Sequence, residues 1–136
     1  MKITTFAILC LTCFAGLSAC TSYQGLRIVE PAYQQTVASL RPTLRWDPAE
    51  GSGVTYDVVI YEGEEISPVY QREGLTGTMH HVEKKLRPNT AYRWSVRSRR
   101  GSTVSEWSKH QTQVFTGVSY HRRERIPEFT TPAGDS

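Results

Sequence analysis

Residues 91–100 read AYRWSVRSRR, and this stretch decides the fold class. Its large apolar residues Tyr92, Trp94 and Val96 alternate with polar ones. A period of two is typical of a β-strand that buries one face and exposes the other. The segment therefore predicts a strand whose apolar face belongs to a core.

The segments on either side of this stretch also favour strands. Residues 55–61 (TYDVVIY) are rich in the aromatic and β-branched residues that strands prefer. No segment places apolar residues at helical spacing over three turns. Further strand candidates are 26–29, 43–46, 69–72, 78–82 and 111–116. Seven short strands separated by turn residues predict a seven-stranded antiparallel β-sandwich.

Three motifs in this core resemble fibronectin type III domains, which have an immunoglobulin-like fold. Residues 42–48 (PTLRWDP) look like the family's second strand, 86–92 (LRPNTAY) resemble its Leu-x-Pro-x-Thr-x-Tyr segment, and 105–108 (SEWS) resemble the turn before its last strand. The resemblance implies that Tyr92 is a tyrosine-corner residue, whose hydroxyl bonds to backbone just upstream. It implies structural roles for four residues, Trp46, Tyr92, Trp94 and Trp107.

The first twenty residues are organised like those of an exported precursor. Lys2 precedes an uncharged apolar run that is shorter than the roughly 20 residues needed to span a bilayer. Residues 17–20 (LSAC) resemble the lipobox of bacterial lipoproteins. That resemblance implies cleavage before Cys20 and acylation of its thiol by chains such as palmitate. The alternative is an ordinary secretory signal cut after Ala19.

The chain then divides into four parts. We expect a lipoprotein signal peptide at 1–19, a lipidated linker at 20–25, a fibronectin type III-like domain at 26–118 and a disordered C-terminal tail at 119–136. Two or more acyl chains give stable membrane attachment without a spanning helix.

The expected location is a bacterial membrane, with the domain on its periplasmic or surface face. Thr21 follows the cysteine, where aspartate favours the inner membrane in enterobacterial lipoproteins, so the outer membrane is favoured. Cleavage would leave Cys20 as the single cysteine, which excludes an internal disulfide and a cysteine-based zinc site.

The polar residues show no catalytic pattern. His80 and His81 are adjacent, so a strand would place them on opposite faces, whereas a metal site needs three or four converging ligands. Neither a Gly-x-Ser-x-Gly elbow nor a Gly-rich phosphate loop is present. We therefore expect no enzymatic activity, no cofactor and no bound metal.

Charge is divided unevenly along the chain. Residues 27–77 contain four basic and eight acidic residues, a net charge of −4, whereas 78–125 contain eleven and three, a net charge of +8. This polarity favours an anionic partner, such as lipid headgroups, an anionic envelope polymer or an envelope protein. Nucleic acid is not expected as the partner of an exported protein.

The arginines separate into two groups by their expected role. Arg93 and Arg97 share the outer face of strand 91–100, where we expect them to stack on Trp107. The candidate binding residues lie in the tail and are Tyr120, Arg122, Arg123 and Arg125. In a seven-stranded sandwich the two termini leave from opposite ends, so this tail would project away from the membrane. The alternative is a solvated tail without a role.

Together these features predict a membrane-anchored bacterial lipoprotein whose domain is a non-catalytic binding or structural module of the cell envelope. One alternative is an accessory subunit of an envelope secretion or export assembly. Another is a carbohydrate- or peptidoglycan-binding module, for which Tyr61 and Tyr70 are the candidate exposed aromatic residues.

Overall fold

The computed structural model describes residues 22–115 and 120–134, and only the backbone of 22–24, 110–115 and 120–124. Its regular secondary structure is entirely β within these ranges. The strands are β1 (Ser22–Gln24), β2 (Ile28–Glu30), β3 (Gln35–Thr36), β4 (Thr43–Trp46), β5 (Thr55–Glu62), β6 (Pro68–Leu75), β7 (Met79–His81), β8 (Ala91–Arg100), β9 (Thr103–Val104), β10 (Lys109–Phe115), β11 (Tyr120–Arg125) and β12 (Glu128–Thr130).

Two of the sheets form a sandwich-like arrangement. A three-stranded sheet has the order β2-β4-β7, and a six-stranded sheet has the order β3-β12-β8-β5-β6, with β9 paired to β8. Side chains from both sheets form one buried apolar cluster. The pairings are antiparallel except that of β12 with β3. The predicted all-β, mostly antiparallel fold is therefore present.

The core lies where the alternation of the sequence predicts it. Trp94 is fully buried, and its indole N–H donates a hydrogen bond to the carbonyl oxygen of Pro31 at 3.3 Å. The hydroxyl of Tyr92 accepts a hydrogen bond from the backbone N–H of Arg87 at 2.9 Å, the bond that a tyrosine corner makes. The predicted apolar face of β8, namely Tyr92, Trp94 and Val96, is buried in the cluster, and Trp46 of β4 with Tyr56 and Val58 of β5 joins it there.

The face of β5 that points away from the core is buried as well. Asp57 and Val59 alternate with the core residues, yet Asp57 is fully buried and Val59 is only 4% exposed. Neither belongs to the apolar cluster between the sheets. β5 therefore buries both faces, which is possible because β6 and β8 flank it on either side and long side chains of β8 lie over it.

The expectation of a disordered C-terminal tail is wrong. Residues 120–125 form β11, and β12 pairs with β8 so that Phe129 lies opposite Tyr92. Phe129 is completely buried and Thr131 is almost completely buried. The rings of Phe129 and Tyr92 stack with centroids 5.8 Å apart. Burial of the phenyl ring and the pairing of β12 with both β8 and β3 together offset the entropy lost in ordering this segment, so the domain extends beyond residue 118.

The edge position beside β8 is occupied by two separate segments of chain. The backbone N–H groups of Ser105 and Ser108 donate to the carbonyl oxygens of Ser98 and Val96 at 2.9 Å. Further along β8, the N–H of Trp94 donates to the carbonyl oxygen of Pro127 at 3.0 Å, and β12 continues from there. Between these two segments the chain leaves the sandwich and returns.

The excursion contains a third sheet with the order β1-β10-β11. Residues 111–116 were predicted as the last strand of the sandwich, but their described part belongs to β10 in this sheet, and β12 takes the sandwich position. The linker predicted at 20–25 is corrected as well, because residues 22–24 form β1 and pair with β10.

Candidate functional site

The three-stranded sheet joins the N-terminal segment to the arginine-rich strand. In its register Tyr23 lies opposite His110, and His110 lies opposite Arg125. Neighbouring strands are about 4.8 Å apart, so β1 and β11 run roughly 10 Å from each other across β10. The sheet therefore gathers segments that are about 100 residues apart in the sequence.

This placement corrects the expectation that the two termini leave from opposite ends. The candidate binding residues Tyr120, Arg122, Arg123 and Arg125 are all in β11. Cys20, the predicted lipidation site, lies outside the described residues. It is two positions before Ser22, and two residues of extended chain span at most about 7 Å. The basic strand is therefore held close to the segment that follows Cys20.

The base of the β10–β11 hairpin rests against the sandwich. Arg125 is exposed, and its Nη1 donates a hydrogen bond to the hydroxyl of Tyr33 at 3.3 Å. A polar concavity surrounds this contact and is lined by Tyr33, Gln34, Glu64, Arg93, Arg125, Ile126 and Glu128. Two arginines face two glutamates in this lining, so its charges are balanced and do not select an ion of either sign.

The expected stacking of an arginine on Trp107 is confirmed for Arg97. Its guanidinium carbon lies 4.5 Å from the ring centroid of Trp107. Arg93 behaves differently, because it lies over Tyr61 at 5.6 Å and its Nη2 donates to the carbonyl oxygen of Glu65 at 2.9 Å. Both arginines are thus held within the fold, but the expectation that Arg93 stacks on Trp107 is wrong.

Asp57 is the residue that organises this outer face, and the sequence reasoning missed it. Its Oδ2 accepts hydrogen bonds from Nε of Arg97 at 2.9 Å and from Nη2 of Arg99 at 2.7 Å. Its Oδ1 accepts one from the N–H of Gly74 at 3.2 Å. The signal was present, because an acidic residue interrupts the apolar run of β5 and shares its outer parity with the arginines of β8.

The hydrogen bonds decide the ionisation of this carboxyl group. Burial by itself raises the pKa of Asp57, but the bonds from Arg99, Arg97 and Gly74 outweigh it, so that the pKa lies below its usual value. Asp57 is therefore a carboxylate at neutral pH and balances two of the basic residues of β8. These hydrogen bonds join β5 to β6 through Gly74 and to β8 through Arg97 and Arg99.

A second acidic residue from the acidic segment 27–77 also pairs with an arginine from the basic segment 78–125. Arg87 donates from Nη1 to Oε1 of Glu62 at 2.8 Å, besides the two arginines bound to Asp57. The charge polarity of the sequence is thus partly cancelled when the chain folds. Residues 120–125 then gain in importance as a basic element, since they combine three arginines with a single acidic residue, Glu124.

His80, His81 and Tyr70 have structural contacts. Tyr70 is buried in the core, and its hydroxyl lies 2.7 Å from Nε2 of His80, whose pKa is lowered by burial. His81 is exposed and contacts Oγ1 of Thr43 at 3.2 Å. Tyr70 therefore does not form part of an exposed aromatic platform, which corrects the expectation for a sugar-binding face.

The described part of the chain contains neither a metal-binding cluster nor a membrane-spanning helix. Within 22–115 and 120–134, no group of three or more His, Cys, Asp and Glu side chains could hold a metal ion. In the same part of the chain, no helix is long and apolar enough to cross a membrane.

No protein-family profile matches the chain, and no curated protein matches it. The function must therefore be argued from the residues and their geometry.

Proposed function

We propose that this protein is a lipid-anchored bacterial lipoprotein whose fibronectin type III-like domain is a non-catalytic binding or structural module held close to the envelope membrane. The observation that carries the proposal is the pairing of β1 with β10 only two residues after Cys20. A lipid on Cys20 would then hold a folded sheet, rather than a long tether, at the membrane surface.

The strand order supports a fibronectin type III-like domain. Without the third sheet and the short β3 and β9, seven sandwich strands remain, which in chain order are β2, β4, β5, β6, β7, β8 and β12. One sheet contains the first, second and fifth of these strands. The other has the third, fourth, sixth and last, with the last two adjacent. Fibronectin type III domains have this arrangement, and the hydrogen bond from Arg87 to the hydroxyl of Tyr92 agrees with it.

The membrane attachment follows from the chemistry of acyl chains. Each buried methylene contributes about 0.8 kcal/mol, so that two or three chains on Cys20 hold a protein stably whereas one does so only marginally. The outer membrane is the favoured site because of Thr21. A sugar-binding role is less well supported, since Tyr70 is buried and leaves Tyr61 beneath Arg93.

Replacing Cys20 by serine should abolish both processing and lipid labelling. The thiol is the acylated group, and a hydroxyl cannot replace it in this reaction, so the precursor should remain uncut. We would measure incorporation of labelled palmitate and the mass of the chain in membrane fractions. Cys13→Ser is the matched control, because it removes a thiol from the same precursor and should leave both results unchanged. A Cys20→Ser protein that is still cut and membrane-bound would refute the lipoprotein proposal.

A further inference from the structure

The directions of the strands show which way the β10–β11 hairpin extends. β1 and β10 are antiparallel, with Gln24 opposite Lys109 and Ser22 opposite Gln111. Moving along β1 from Gln24 towards Ser22 is therefore the same direction as moving along β10 from Lys109 towards Phe115. The N-terminal end of β1 and the Phe115 end of β10 lie on the same side of the sheet.

On this side of the sheet the hairpin is the longer of the two segments. Phe115 is four residues beyond Gln111, which corresponds to about 14 Å of strand. Cys20 is two residues beyond Ser22 and reaches at most about 7 Å. The closing pair of the hairpin, Phe115 with Tyr120, therefore extends at least as far in this direction as the residue expected to carry the lipid.

The composition of this end of the hairpin is suited to a membrane interface. Phe115 and Tyr120 form its last register pair, and Arg122 and Arg123 follow on β11. Aromatic residues with a polar group are enriched at the level of lipid headgroups, and arginines near an anionic membrane surface are attracted to it. The acidic residue of β11, Glu124, lies further from this end than either arginine.

We propose that the Phe115–Tyr120 end of β10 and β11, together with Arg122 and Arg123, contacts the headgroups of anionic lipids in the membrane that holds the acyl chains of Cys20. This inference rests on the proposed function, because the lipid on Cys20 brings the membrane to this side of the sheet. The arginines of β11 then fix the orientation of the domain, while the acyl chains supply most of the attachment. The acyl chains of Cys20 would bring lipid headgroups, rather than a protein or polysaccharide, to within a few residues of β1, so the geometry favours the lipid.

The contact can be tested with the processed, acylated protein reconstituted into vesicles. A fluorophore on Gln113→Cys would report the hairpin, and one on Ser52→Cys would serve as the control. Ser52 is exposed in the loop before β5, beyond the Arg99 end of β8, whereas the chain leaves the sandwich near Val96. We would measure quenching by headgroup-labelled lipid in phosphatidylcholine, with and without phosphatidylglycerol.

The inference predicts stronger quenching at Gln113 than at Ser52, and an increase when phosphatidylglycerol is present. Changing both Arg122 and Arg123 to serine should lower the ratio of contacting to free hairpins by about 25-fold, or about fivefold for each charge. High salt should have a similar effect, since exposed charges are screened. The matched control removes two exposed arginines from the sandwich, Arg41→Ser with Arg45→Ser, and should change nothing.

The two proposals can fail separately. An acylated chain whose Gln113 probe is quenched no more than its Ser52 probe would overturn the hairpin contact and leave the anchor intact. Quenching that is equal in neutral and anionic vesicles, or that survives the loss of both arginines, would also overturn it. The mass of the processed chain reports acylation independently. A mature chain without acyl groups would overturn the proposed function and, with it, this inference.

Discussion

Replacing Phe129 by alanine should lower the free energy of unfolding by about 3–5 kcal/mol, the usual cost of truncating a buried phenylalanine. The ring is completely buried in the apolar cluster and stacks on Tyr92. Domains of this size have about 5–15 kcal/mol of stability in total, so the loss would be a large share of it. Denaturant unfolding of the variant and the parent protein would measure the difference.

Glu128→Ala is the matched control for this experiment. Glu128 is the neighbour of Phe129 on β12, is only partly buried and lies outside the apolar cluster. Its replacement should change stability by no more than about 0.5 kcal/mol. If both variants were as stable as the parent, residues 128–130 would not be a strand of the sandwich, and the expectation of a disordered tail would be restored.

Trp94→Ala should also cost about 3–5 kcal/mol. The indole is fully buried at the centre of β8, and its removal would leave a cavity and an unpaired carbonyl oxygen on Pro31. Val59→Ala on the other face of the six-stranded sheet should cost about 1–2 kcal/mol, since two buried methyl groups are lost.

The comparison of Trp94→Ala with Val59→Ala tests which face of this sheet forms the core. Chemical denaturation with equal slopes for all variants would show that only stability has changed. A Val59→Ala loss as large as the Trp94→Ala loss would mean that the principal core lies on the outer face, contrary to the structure.

The sequence predicted the central strands well, because their signals are local. Alternation of apolar and polar residues in β8 and enrichment of aromatic and β-branched residues in β5 are both properties of a single strand, so each strand could be recognised without its partners. The tyrosine corner was accessible for the same reason, since Tyr92 and Arg87 are five residues apart.

The strands that the sequence missed depend on distant partners. β12 lies between Pro127 and Pro132 and has only three residues, which are too few to show a period. It is defined by its pairing with β8 and β3. β11 consists mainly of charged residues, which resemble those of a solvated tail. Its assignment as a strand comes from β10, so the hairpin and its proximity to β1 could not be read from either segment alone.

Asp57 shows a related limit of sequence reasoning. The parity of a strand gives the face on which a residue lies, but it does not show what covers that face. Here Arg97 and Arg99 reach the carboxylate from the adjacent strand, and Gly74 closes it from the other side. Burial of a charged residue is stable because these partners are present, and the sequence pattern of β5 does not contain them.

The β1-β10-β11 sheet holds the arginine-rich strand beside the segment that follows Cys20. Nuclear Overhauser effects between backbone protons of the processed protein test this most directly. The register predicts cross-strand effects between Tyr23 and His110 and between His110 and Arg125. Random-coil chemical shifts for 22–24 and 120–125, without such cross-strand effects, would contradict the claim.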